Sequence, residues 1–166
     1  VVAHQHKFMS VNGEYTCPCG VSCAHTEMDE NGNCKACGKL LAQASVTVGD
    51  TTTYYTDLQK AIDNASNGTV KLLQEITLAD GVTLNNEKSD HVTLDMNRNS
   101  LIGTGPTVLT VSRDMTICGT GKGTIYSNGS SCKDTETINS VVLTGGHLTI
   151  KGFGFGTYRD GGENRA

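Results

Sequence analysis

The first 38 residues write one ligand pattern twice. His4-x-His6, a gap of ten residues and Cys17-x-Cys19-Gly20 are followed at once by Cys23-x-His25, a gap of eight and Cys34-x-x-Cys37-Gly38. Each copy opens on two donors spaced i,i+2 and closes on two more just before a glycine. Each also carries Asn-Gly ahead of its closing pair, at Asn12-Gly13 and Asn31-Gly32. Two matched sets of four soft or borderline donors are what two tetrahedral zinc sites require. In an extended strand an i,i+2 pair points both side chains to one face, so each pair can converge on one ion. Asn-Gly between the halves is a strong hairpin signal, and each copy is expected to be a hairpin clamped by one ion.

The set Cys23, His25, Cys34 and Cys37 has the usual spacing, with Cys34-Lys35-Ala36-Cys37-Gly38 as a knuckle whose tight turn aims backbone amides at thiolates. The set His4, His6, Cys17 and Cys19 departs from it, because Cys17-Pro18-Cys19 lacks one spacer residue. Four protein ligands leave no open position, so both sites are expected to be structural. Glu14, Glu27 and Asp29 lie nearby and read as solvated charges on hairpin tips rather than as a base for catalytic zinc. A disulfide framework is the alternative for clustered cysteines. Against it, five of the seven cysteines fall within residues 17–37, an odd number, and they interleave with histidines.

Composition separates this segment from the rest. Only 36% of the 166 residues are hydrophobic, with 20 glycines, two prolines and no tryptophan, a profile of short strands and tight turns. A net charge of −4 without a Lys/Arg run argues against a nucleic-acid surface. No run approaches the 18 or so apolar residues of a membrane span. The chain begins at Val1 rather than Met, which suggests a processed form or a piece of something larger. Two domains are expected: a tandem Cys/His zinc-binding module over 1–41 and a second domain over 42–166.

After Leu41 the pattern changes to strands. Ala44–Val48 alternates, and Thr56-Asp57-Leu58-Gln59 fits a capping box with Thr56 as N-cap. Leu58, Ala61, Ile62 and Ala65 then follow at helical spacing, with Gly68 where a C-cap belongs. From Thr69 onward the apolar phrases are Val70–Leu73, Ile76–Leu78, Val82–Leu84, Val92–Met96, Val108–Val111, Met115–Cys118, Val141–Thr144 and Leu148–Lys151. Leu101-Ile102-Gly103, Met115-Thr116-Ile117-Cys118-Gly119 and Leu148-Thr149-Ile150-Lys151-Gly152 align with one another. Repetition on this scale marks a solenoid, each coil buried by its neighbours.

The stretch Tyr55-Thr56-Asp57-Leu58-Gln59-Lys60-Ala61-Ile62-Asp63…Gly68-Thr69-Val70-Lys71-Leu72 resembles the N-terminal cap of the right-handed parallel β-helix superfamily that includes pectate lyases and many bacterial surface proteins. Val92–Asn97 and the Leu-Thr-Ile-x-Gly phrases resemble its coils, so the resemblance spans roughly 45–158. The Cys/His cassettes are similar to short zinc-binding modules beside such repeats in cell-surface proteins of Gram-positive bacteria. The fold these resemblances imply is a mostly β right-handed parallel β-helix with an N-terminal capping helix, preceded by a zinc-stabilised hairpin module. An antiparallel sandwich is the rival.

For function, two classes stand. One is a non-enzymatic surface or adhesion module, binding glycan or an extracellular host protein, with two structural zinc ions. The other is the N-terminal part of a polysaccharide lyase or glycoside hydrolase. Such lyases use calcium held by several acids with an Arg or Lys base, and the hydrolases use close Asp residues. Asp95 is the best single carboxylate, yet no second acid lies two residues from it. Arg113-Asp114 and Arg159-Asp160 read as turn charges, and His91 and His147 as strand-start residues. Asp29-x-Asn31-x-Asn33 has its glycine misplaced for a calcium loop. Asn64, Asn67 and Asn128 begin formal glycosylation sequons. Tyr54, Tyr55, Tyr126, Phe153, Phe155 and Tyr158 are the aromatics available to stack on sugar. Cys118 and Cys132 either pair across the polar stretch 127–139 or stay apart. An enzyme is the less favoured class, no catalytic residue is assigned, and the expected location is extracellular or at a cell surface.

Overall fold

The computed structural model describes residues 5–85, 90–120, 123–129, 137, 139–152 and 154–157. The chain divides between Ala42 and Gln43 into two compact units.

In the first unit β1 (Met9–Val11) and β2 (Glu14–Thr16) form an antiparallel hairpin, Val11 opposite Glu14. The two-residue loop has Asn12 at φ +52° and Gly13 at φ +85°, the left-handed pair that matches strand twist. The second Asn-Gly builds a different turn. Asp29 N donates to Asn33 O at 2.8 Å and Gly32 N to Asp29 O at 3.2 Å, while only Gly32 is left-handed, at φ +83°. This is a type I turn followed by a glycine bulge. Asp29 Oδ1 accepts from Asn31 N at 2.9 Å and Asn33 N at 2.8 Å, so the carboxylate organises the turn. Little apolar surface is buried here: among the described residues the buried side chains are Cys17, Cys34 and Ala42, while Met9, Val11 and Val21 are about half exposed.

The second unit begins with β3 (Ala44–Val48) and β4 (Thr51–Tyr55), then α1 (Leu58–Asp63). The strands β5 (Thr69–Leu72), β6 (Ile76–Leu78), β7 (Val82–Leu84), β8 (His91–Asp95) and β9 (Leu101–Gly103) follow. After them come β10 (Thr107–Val111), β11 (Asp114–Cys118), β12 (Thr124–Ser127), β13 (Asn139–Leu143), β14 (Leu148–Lys151) and β15 (Gly154–Thr157). They form three sheets, ordered β13-β10-β7, β14-β11-β8-β5-β3-β4 and β15-β12-β9-β6. Alternation puts Val70, Leu94, Ile117, Leu101, Ile125, Leu109 and Val111 into one core with Leu58, Ala61 and Ile62 of α1.

The expected single right-handed solenoid with an N-terminal capping helix is overturned. The strands are shared among separate sheets and the six-stranded one is mixed, β3 running antiparallel to both β4 and β5. The cause is local: Gly49, at φ +58°, with Asp50 reverses the chain between Val48 and Thr51, which face each other. The one described helix is six residues inside the chain, after that hairpin. The rival antiparallel sandwich fails as well, because every ladder joining β5 through β15 is parallel.

Smaller expectations also shift. Asp57, not Thr56, is the N-cap, its Oδ1 accepting from Lys60 N at 2.8 Å, and Asn64 rather than Gly68 is the C-cap. Gly68 is needed for space, since a Cβ there would stand 2.5 Å from Thr47 O. Met115–Cys118 and Leu148–Lys151 do pair residue for residue, but Leu101–Gly103 lies in another sheet, beside Ile76–Leu78 and Ile125–Ser127. β4, β12 and β15 carry no phrase among those read from the sequence.

One product of the register was not visible in the chain order. Thr52, Thr47, Thr69, Thr93, Thr116 and Thr149 are successive partners across all six strands of the largest sheet. None is buried, so a row of hydroxyls crosses its outer face.

Candidate metal centre

Cys23, His25, Cys34 and Cys37 converge: their ligand atoms all lie within 4.8 Å of one another. Cys23 Sγ is 3.6 Å from Cys34 Sγ, and Cys37 Sγ is 3.3 Å from His25 Nδ1. Two sulfurs on one tetrahedral zinc ion stand about 3.8 Å apart, and a sulfur and an imidazole nitrogen about 3.6 Å. A disulfide would hold its sulfurs at about 2.05 Å. These two separations are therefore close to edges of a coordination tetrahedron, and no disulfide forms among the six described cysteines.

The local folding explains the convergence. Met28 and Cys34 bridge across the Asp29 turn, placing Cys34 near the residues before it. Gly38 N donates to Cys34 O at 2.8 Å, and Gly38 at φ +75° turns the chain back after Cys37. The backbone N–H groups of Ala36 and Cys37 point at the Cys34 sulfur and that of Lys39 at Cys37, the amide arrangement expected of the knuckle. His25, at φ +52°, stacks edge-on against Tyr15 with ring centroids 5.9 Å apart, which fixes its ring. Tyr15 was not singled out from sequence, because its contact crosses between the two cassettes.

The thiols have divergent acidities. Hydrogen bonding from His25 lowers Cys34 to about 6, ahead of burial, which opposes it, with the two backbone amides assisting. Burial first, then the neighbouring Cys23 and Cys34, raises Cys37 to about 11. Crowded donors that resist a second negative charge are what a divalent cation would relieve.

In the first set His6, Cys17 and Cys19 also gather within 4.8 Å, Cys19 Sγ lying 3.3 Å from His6 Nδ1. Cys17 is buried, its N–H held by Val21 O at 2.8 Å, while Gly20, at φ +86°, closes the turn. His4, the fourth expected ligand, lies outside the described residues. Two Cys/His groups that can hold metal ions are therefore present, one of four residues and one with three described.

Two of the nearby acids, Glu27 and Asp29, are engaged elsewhere. Glu27 faces Lys35 at 3.4 Å in an exposed pair, and Asp29 is committed to its turn. Asp95 Oδ1 accepts from Asn97 N at 2.9 Å, and its register partners are Lys71 and Cys118 rather than a second acid. Asp114 Oδ1 is bound by His147, through N at 2.8 Å and Nδ1 at 3.2 Å, a pairing not foreseen because the two are 33 residues apart. That bonding lowers the Asp114 carboxyl. Cys118 is raised by burial and by Asp95, and Cys132 lies outside the described residues, as do Phe153, Tyr158 and Arg159-Asp160. Tyr55 packs against the core.

No protein family, no curated protein and no solved structure matches the chain. The resemblance to the pectate-lyase-like β-helix superfamily and to Gram-positive surface proteins is thus corrected. It finds no relative, and the sheets depart from a single solenoid. Among the described residues no helix is long and apolar enough to cross a membrane.

Proposed function

We propose that residues 1–42 are a structural zinc unit carrying two ions, His4, His6, Cys17 and Cys19 holding one and Cys23, His25, Cys34 and Cys37 the other. The observation that carries this is the second tetrad, four protein donors at tetrahedral spacing with no position left for substrate. A segment that buries two cysteines and an alanine has no apolar core of its own, and metal binding would supply its folding free energy. The whole chain then reads as a binding module outside the cell, in contact with glycan or an extracellular protein, rather than as an enzyme. The part-exposed threonine row supports that reading, since neutral hydroxyls in a regular row suit a neutral, hydroxyl-rich partner.

Elemental analysis joined to a chelator melt tests the zinc reading. About two zinc per chain, with only the N-terminal structure lost on chelation, is expected. Metal-free protein with oxidised cysteines would overturn it. A glycan panel tests the binding reading, with turnover of any polysaccharide counting against it.

A further inference from the structure

We propose that His147, Asp114 and His91 form a third metal site, open to solvent, for a divalent transition ion such as zinc. These residues are remote in sequence and belong to neither cassette. The β8–β11 register places His91 opposite Asp114. The β11–β14 register, with Met115 opposite Leu148, carries one step back to set His147 beside Asp114. Parallel neighbours lie about 4.8 Å apart, so the three donors form a short row on one face. That face is the outer one, because Asp114 is two residues from Thr116 of the threonine row.

The geometry of the central pair suits an ion. Asp114 Oδ1 and His147 Nδ1 are 3.2 Å apart. Two such donors on one tetrahedral zinc stand about 3.3 Å apart, so an ion can replace the proton between them with little movement. The bond from His147 N to the same carboxylate, at 2.8 Å, fixes the approach of the residue. His91 already turns toward β11, its Nε2 lying 3.2 Å from Thr116 Oγ1. Its ring does not stand with the Asp114–His147 pair in the structure and would have to turn about its side-chain torsions to serve as the third donor. Imidazole with carboxylate is a donor set for zinc, copper or nickel rather than for calcium or magnesium. The His147 side chain is 91% exposed and that of Asp114 48%, so water completes the coordination. The site is therefore weaker and faster to exchange than the closed tetrad.

The test is isothermal titration of zinc into the full chain after its N-terminal sites have been filled. One further equivalent is expected. His147→Ala and Asp114→Asn should each weaken that binding at least about tenfold, and His91→Ala by less. All three positions are exposed or half-exposed at the sheet surface, and an unchanged circular dichroism spectrum confirms that each variant is folded. Absence of a further equivalent in the parent chain overturns the proposal, as does unchanged uptake by the His147→Ala/Asp114→Asn double variant. Cys23→Ser/Cys37→Ser separates this site from the N-terminal reading: it removes a tetrad ion and leaves the additional equivalent in place.

Discussion

Gln59 and Thr83, 24 residues apart, form a two-way amide pair: Gln59 Nε2 donates to Thr83 O at 2.8 Å, and Thr83 N donates to Gln59 Oε1 at 2.7 Å. Among the described residues β7 is the last strand of its sheet, and its outer peptide edge has no strand partner there. A side-chain amide copies the donor and acceptor of a peptide, and one residue of α1 satisfies that edge. Gln59→Ala should therefore destabilise the second unit by about 1 kcal/mol, read from urea unfolding. No change in midpoint would mean that water replaces the pair without loss.

Ile117 and Thr116 are sequence neighbours on opposite faces of β11. Ile117 is fully buried against the core, whereas Thr116 stands in the part-exposed row. Ile117→Ala should lower stability by about 2–5 kcal/mol, and Thr116→Ala by under about 1 kcal/mol. Equal losses in paired denaturant curves would contradict the assignment of faces.

Gly38 has open space where a Cβ would sit but a φ of +75°. Gly38→Ala should weaken metal binding by the tetrad by about 1–2 kcal/mol through backbone conformation alone. Chelator competition against the parent chain reads this loss, with Gly38→Asn expected to recover part of it, because Asn tolerates the left-handed region.

Acid should release a metal ion held by the tetrad. Cys34 is held at about 6, below the ordinary thiol value. A depressed acid stabilises the folded form above its unfolded pKa, and that contribution is lost as pH falls through the folded one. Stability should thus decline as pH falls from about 9 to about 6, and a bound cation pushes the final loss lower still. Cys37, raised to about 11, acts in the opposite sense, so stability should decline again as pH rises from the ordinary thiol range toward 11. A chromophoric chelator should detect zinc release at or below about pH 6. Release that begins at pH 8 would show that the four donors do not hold an ion against competition from protons.

Much of the site was legible in the chain. The spacing Cys23-x-His25 and Cys34-x-x-Cys37 placed four donors within reach of one another, because short loops and glycine turns leave such residues few alternatives. Legible too were most strands, through their period-two alternation. The sheet order was not. Leu101-Ile102-Gly103 shares its wording with Met115–Cys118 yet lies in a different sheet, since wording reports which face is buried and not which neighbour is paired. The helix boundary moved by one residue for a related reason: Thr56 and Asp57 are both competent caps, and Asp57 is the one whose carboxylate reaches Lys60 N.

The sequence by itself determined the doubled ligand set and the alternation that separates core from surface, both properties of residues a few positions apart. Tertiary structure alone decided the hairpin that makes the largest sheet mixed. It also put six threonines in one row, brought Gln59 to Thr83 and set His91 and His147 on either side of Asp114. Those relations join residues brought together only when strands choose partners. Strand pairing is set by the sum of core packing and backbone hydrogen bonds over the whole unit, which no local stretch of sequence contains.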